Sequence, residues 1–192
     1  LTAITTVAHE HGLRVHLDGA RLANAVAALD VDVRALTVDA GVDVVSFGGT
    51  KNGLMYGEAV VFLDPILGEH AHFVRKQAMQ LPSKMRYVAA QFDAVLTDGL
   101  WLENARHANA MAARLYERVQ AIPTVSVDRA PAANSVFARL PHDAIVALQA
   151  ESFFWVWDEL TDEVRWMTSF DTTEDDVDQF VALVEKVLRA VT

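Results

Sequence analysis

Lys51 sits in Ser46-Phe47-Gly48-Gly49-Thr50-Lys51-Asn52-Gly53, and His16-Leu17-Asp18-Gly19-Ala20-Arg21 lies upstream of it. A carboxylate at the end of a short apolar run, followed by a lysine in a glycine-bracketed turn, supplies the two groups that a pyridoxal phosphate (PLP) site needs. The lysine amine forms a Schiff base with the cofactor aldehyde. The carboxylate keeps the pyridine nitrogen protonated, so that the ring accepts electrons. Burial would move the amine towards its nucleophilic neutral form, and small neighbours would let a flat cofactor approach the backbone.

Each of these residues also has a plainer reading. Asp18 precedes a glycine and a predicted helix, and taken alone it serves equally as an N-cap. Arg21, one turn further on, suits an ion pair with Asp18, an anionic group on a ligand, or simple exposure to solvent. Lys51 alone is a lysine in a turn, and its segment lacks the spacer and the Gly-Lys-Ser/Thr ending of a Walker A loop. Position favours chemistry, because Asp18 and Lys51 both follow predicted strands. Neighbouring strand ends of one α/β sheet converge on one crevice.

Arg165 stands among Val164, Trp166 and Met167, where a charge without a partner is costly. A bidentate carboxylate ligand would remove that cost, and so would a salt bridge within the domain. His16 shares a strand face with Asp18 and reads as a packed strand histidine or as a partner behind Asp18. The other histidines lack metal-ligand spacing to a carboxylate, so no metal ligands are assigned. Trp155 and Trp157 alternate along a strand and read as core.

The elements that must position these groups follow from periodicity. Residues 2–11 read as an amphipathic helix with Ile4, Val7 and Ala8 on one face and Gly12 as its stop. Residues 14–18, 43–47 and 58–63 read as strands, and about 20–29 as a helix, which is the alternation of an α/β layer with a largely parallel sheet. Pro65 opens a helix towards Gln80, and Pro82 breaks it. From 100 to 121, Trp101, Ala105, Ala108, Ala112, Leu115 and Val119 recur at spacings of four and three, one buried stripe of a long helix.

Residues 125–127, 135–140, 153–157 and 163–168 are strand-like, with a helix near 142–150 between the middle two. The last helix starts at Thr172 or Thr173, with Glu174, Asp175 and Asp176 in its first turn. Its apolar face is Val177, Phe180, Val181, Val184, Leu188 and Val191. The expected fold class is α/β, with one domain over 1–98 and a small α+β domain over 99–192.

Composition narrows the partners. The 192 residues are 52% hydrophobic and 22% charged, enough for a substantial core. A net charge of −10 argues against a nucleic-acid or anionic-membrane surface. No apolar stretch reaches membrane-spanning length. Cysteine is absent, which excludes a disulfide framework, a thiolate metal site and a cysteine nucleophile, and it fits a cytoplasmic setting. The start has neither an initiator Met nor a signal pattern and reads as cut.

His16-Leu17-Asp18-Gly19-Ala20-Arg21-Leu22-Ala23-Asn24-Ala25, followed by Ser46 to Gly53, resembles the threonine aldolase branch of fold type I PLP enzymes. The form of the lysine segment is similar to that of low-specificity and phenylserine aldolases. The resemblance runs on through Lys76-Gln77-Ala78-Met79-Gln80-Leu81-Pro82-Ser83-Lys84-Met85-Arg86 and reaches Val164-Arg165-Trp166-Met167-Thr168-Ser169-Phe170-Asp171-Thr172-Thr173.

The resemblance implies a partial fold type I, aspartate aminotransferase-like large domain plus the small C-terminal domain. It implies PLP as cofactor, Lys51 as the Schiff-base lysine and Asp18 as the pyridinium partner. It places Arg21 beside the cofactor and in reach of the substrate carboxylate, with Arg165 binding that carboxylate directly. Lys84 and Arg86 resemble basic residues that approach the site or the cofactor phosphate from a neighbouring subunit, and Arg75 and Lys76 are further candidates. The implied assembly is a homo-oligomer, dimer or tetramer. The implied reaction is retro-aldol cleavage of a β-hydroxy-α-amino acid such as threonine to glycine and an aldehyde.

Other fold type I enzymes (β-eliminating lyases, racemases, aminotransferases) use the same Asp and Lys, and a non-catalytic remnant of the fold is a further alternative. Family members carry an N-terminal part with the phosphate-binding loop and the ring-stacking histidine, and neither can be placed before Asp18. The isolated chain is therefore expected to bind PLP weakly or not at all and to lack aldolase activity.

Overall fold

The computed structural model describes residues 1–191. The chain divides into two compact units, one spanning Leu1–Glu103 and the other starting at Asn104.

The first unit opens with helix α1 (Thr2–Glu10), strand β1 (His16–Gly19), helix α2 (Leu22–Leu29) and strand β2 (Val44–Gly48). β1 and β2 pair in parallel, with Asp18 opposite Ser46. Parallel neighbours need a crossover, and α2 lies on it. Leu22, Ala23 and Val26 are its buried apolar residues, and Leu22 and Val26 join Val42 and Val45 in one core cluster. Helix α2 ends where Asp30 turns left-handed (φ 50).

Strand β3 (Glu58–Phe62) pairs antiparallel with β2, so the order is β1-β2-β3. The expected largely parallel sheet is thus half right. The 49–57 connection is too short for a crossover helix, which forces β3 to run back.

Three expectations in this unit are corrected. The helix opening at Pro65 is two helices, α3 (Pro65–Gly68) and α4 (Ala71–Gln77). Gly68 packs against the Phe62 ring and the chain turns at Glu69 and His70. The anticipated apolar face of α1 is exposed, with Ile4 at 67% and Val7 at 55%. Thr5 is the buried residue instead, and its hydroxyl donates to the Ala40 carbonyl. His16 is also exposed rather than packed, with Nε2 2.7 Å from Ser46 Oγ. Helix α5 (Met85–Leu96) was not anticipated.

Asp43 ties this unit together at the N-terminal end of β2. It is buried, and its carboxylate accepts from the Val15 amide at 2.7 Å, with His9 Nε2 at 2.9 Å and Arg14 Nη1 at 3.4 Å. The Val15 amide holds its pKa below the ordinary value, His9 and Arg14 add to that, and burial opposes it.

Helix α6 (Leu100–Val119) leads into the second unit, whose sheet is antiparallel in the order β4-β6-β5. The strands are β4 (Ser135–Arg139), β5 (Trp155–Asp158) and β6 (Glu163–Met167). Val136, Ala138, Val164 and Trp166 face a single core shared with α6, α7 (His142–Glu151) and α8 (Glu174–Val191). Helix α8 begins with a reciprocal cap. The Asp176 amide donates to Thr173 Oγ1 at 3.1 Å, and the Thr173 amide donates back to Asp176 Oδ2 at 2.8 Å.

The expected strand at 125–127 is reduced to one bridge, Ser126 with Arg139. Trp155 and Trp157 are not core residues, being 62% and 54% exposed. Phe154 and Val156 take the inward positions, because successive side chains alternate across a strand.

Candidate active site

Asp18 and Lys51 follow the same logic in the first unit. The parallel pairing of β1 and β2 puts the C-terminal ends of both strands at one edge of the sheet, the edge where open α/β sheets place ligands. Asp18 is the third residue of β1 and Lys51 stands just past Gly48, the last residue of β2. Both side chains are exposed.

Asp18 Oδ1 accepts the Ala20 amide at 3.0 Å. The carboxylate closes the turn towards α2 and does not cap the helix, whose N-cap position is Arg21, without a capping side-chain bond. Across the strand pair, Ser46 lies level with Asp18 and takes up His16. One strand face therefore presents a carboxylate, a hydroxyl and an imidazole in sequence.

Lys51 lies in a single 3-10 turn, Thr50–Asn52. The burial expected of it belongs to Asn52, which is 4% exposed and donates through Nδ2 to the Trp101 carbonyl at 3.0 Å. That inward anchor is why Lys51 faces out. The turn is clamped from β3 as well: Thr50 exchanges hydrogen bonds with Gly57, and the Glu58 carboxylate accepts the Gly49 and Thr50 amides at 3.3 and 3.4 Å.

Gly48 and Gly49 are required by the packing of the chain itself. A Cβ at Gly48 would stand 2.4 Å from the Ala20 carbonyl oxygen, and one at Gly49 2.6 Å from that of Gly57. Their missing side chains let β2 pack against the β1–α2 turn and the lysine turn against the start of β3.

The donor set fits PLP at two of its ends, with an amine for the aldehyde and a carboxylate for the ring nitrogen. Arg21 is half-buried, with its Nε shielded from solvent. Lys84 precedes α5 and Arg86 lies in its first turn, both exposed, and the Arg86 guanidinium stacks on the Tyr87 ring at 4.9 Å. Arg165 belongs to the second unit, at the centre of β6 on the face turned away from the core.

Sequence reasoning missed Ser46, Asn52 and Glu58. Period-two alternation opposite Asp18 marks Ser46. Nothing in the local sequence marks Asn52 or Glu58, whose partners are brought to them by tertiary pairing.

Among the described residues, no helix is long and apolar enough to cross a membrane. A family model described as beta-eliminating lyase matches residues 1–141. The low-specificity L-threonine aldolase of Pseudomonas aeruginosa is 42% identical over 192 residues, and that of a Pseudomonas species 40% over 190. Each alignment takes in 99% of this chain but 55% of the relative, so the chain spans about half the length of the curated relatives it matches. The solved structure of Leishmania major threonine aldolase superposes with a TM-score of 0.85 at 30% identity, covering 96% of this chain and 55% of that one. The fold is thus part of the α/β architecture of the fold type I PLP enzymes. On the extent of the family match and the agreement of the fold, the chain belongs to the beta-eliminating lyase family.

Proposed function

We propose that the protein containing this sequence cleaves β-hydroxy-α-amino acids of the threonine, allo-threonine or phenylserine type to glycine and an aldehyde, with PLP as cofactor. One observation carries the reading. Asp18 lies at the C-terminal end of β1 and Lys51 just past that of its parallel neighbour β2, in a chain aligned over 99% of its length with relatives named low-specificity L-threonine aldolase.

In this reading Lys51 holds the cofactor through its amine, and Asp18 keeps the proton on the ring nitrogen. Bound there, PLP supplies an electron sink for the pair released when the Cα–Cβ bond breaks. Arg21 flanks the cofactor, and Arg165 takes the substrate carboxylate. Support for Arg165 comes from its surroundings: among the described residues no salt bridge reaches it, and its Nε is buried without a hydrogen-bond partner. A cation so placed suits an incoming carboxylate. Lys84 and Arg86 are assigned to the site of a neighbouring copy in a homodimer or tetramer. Residues 1–98 are assigned to the PLP-binding large domain and 99–192 to the small domain, in a cytoplasmic protein, as the absence of cysteine suits.

The test is glycine and aldehyde release by the full-length protein, compared with its β-elimination, racemisation and transamination. Lys51→Ala is expected to abolish aldehyde release and the cofactor absorbance band together. Release retained by that variant overturns the assignment. A second reading, β-elimination, draws on the description of the matching family model, and it wins if elimination products outrun glycine.

A further inference from the structure

The outer face of the second unit's sheet carries an arrangement around Arg165 that the proposed reaction does not by itself require. Arg165 lies at the middle of the central strand, with Phe137 of β4 level with it on one side and Trp155 of β5 on the other. Strand β5 then contains one extra residue. Val156 pairs with Val164 and Asp158 with Glu163, which leaves Trp157 as the bulge between them. A bulge re-aims the side chain it carries, and here the Trp157 ring stacks on the Arg165 guanidinium at 4.6 Å. Phe137 meets that ring edge-on at 5.4 Å.

The charges nearby are sorted in the same sense. Glu163 is two residues from Arg165 on one strand, so it shares the face and is the obvious partner. Its carboxylate is instead engaged by Arg129 Nη2 at 3.4 Å, while the Arg129 guanidinium sits 4.3 Å over the Phe137 ring. Among the described residues Arg165 is left without an acidic partner, its Nε shielded and its plane fixed by an indole.

The geometry points to Trp157 as a positioning residue that holds the Arg165 guanidinium planar, partly desolvated and open to a carboxylate. Arg129 keeps Glu163 from closing that site. The inference rests on the proposed role of Arg165 as a carboxylate binder and adds the residues that set its orientation and availability. Trp157 acts through Arg165, and a long cation held in one conformer loses less freedom on binding.

The test uses the 192-residue chain with isotope-labelled arginine, acetate as probe and acetamide as the neutral control. The Arg165 Nε–H resonance is assigned by its loss in Arg165→Lys. In the unaltered chain it is expected upfield, displaced by the indole ring current, and it should respond saturably to acetate but not to acetamide. Trp157→Leu should abolish the displacement and weaken acetate binding about two- to tenfold, the cost of freezing one long side chain on binding. Trp157→Phe should restore most of both. Arg129→Gln should weaken acetate binding while the displacement persists, because Glu163 is released to pair with Arg165, and adding Glu163→Gln should reverse that loss. An acetate response that Trp157→Leu leaves unchanged overturns the positioning role alone. No acetate response in the unaltered chain defeats the carboxylate reading of Arg165 itself.

Discussion

In the second unit, residues from Met111 to Leu188, drawn from three helices, two strands and the segments between them, close into one apolar cluster, with Val119, Ala144, Leu148, Val164 and Val184 fully buried. In the first unit Leu22, Val26, Val42 and Val45 form a buried cluster covered by partly buried residues such as Phe47 and Trp101, and polar ties add to the holding there. Asp43 joins α1 and the approach to β1 to the start of β2, Thr5 is tied to Ala40, and Asn52 to Trp101. A fully buried Leu or Val contributes about 1.5–3 kcal/mol, against about 0.5–1.5 kcal/mol net for an ordinary hydrogen bond. The unit that bears Asp18 and Lys51 is therefore expected to be the less stable one, with more of its cohesion resting on directional bonds. Directional bonds fix where a strand end stops, whereas burial only requires that it be covered.

The sharpest way to break this contrast is to delete equal atoms from each core. Leu148→Ala should destabilise the second unit by about 2–5 kcal/mol. Leu22→Ala, in the smaller cluster, should cost the first unit less, because its surroundings can collapse more readily. Urea unfolding followed at amides of each unit separately reads both values, and equal losses would remove the distinction.

The next effect concerns charge. Asp43→Asn should cost the first unit about 1.5–3 kcal/mol, the range for hydrogen bonds to a charged group, and leave the second unit unmoved. Because the folded pKa of Asp43 lies below its unfolded value, its contribution is fully present above the unfolded pKa of about 3.9. It is lost as pH falls through the lower folded value. The first unit should accordingly weaken as pH drops below about 4, and Asp43→Asn should flatten that dependence.

Thr173→Ala, which removes the reciprocal cap of α8, should cost the second unit about 1 kcal/mol without touching the first. The smallest effect belongs to His142, whose pKa is raised by its hydrogen bond and attraction to Asp162. A raised pKa contributes below the unfolded value of about 6.5 and is lost as pH climbs through the folded one. His142→Gln should erase a slight loss of second-unit stability that sets in as pH rises above about 6.5.

What could be read in advance depended on how local the cause was. Strands β1, β2 and β3 were visible as apolar runs, and the relation of Asp18 to Lys51 followed from their ends. The reversed direction of β3 was also readable, since residues 49–57 cannot hold a crossover. The faces of β5 and α1 were not, because apolar residues occupy both sides of β5 and because the buried residue of α1 is Thr5. Periodicity marks an apolar stripe but not what lies opposite it. Helix α5 escaped for a related reason: of its twelve residues only Val88 and Val95 are buried, and no side chain caps its start. In the candidate site the chemical groups were legible, but their clamps were not, since Glu58 and Asn52 act on backbone atoms brought in by pairing and packing.

Gly48 has a consequence for genetics. No side chain fits between it and Ala20, so any substitution there must push apart the two segments that carry Asp18 and Lys51. A position-by-position screen for lost folding should rank Gly48 among the least tolerant positions of the first unit. Because the obstacle is the Ala20 backbone itself, smaller side chains at neighbouring positions could not relieve such an allele, and the lesion would resist local suppression.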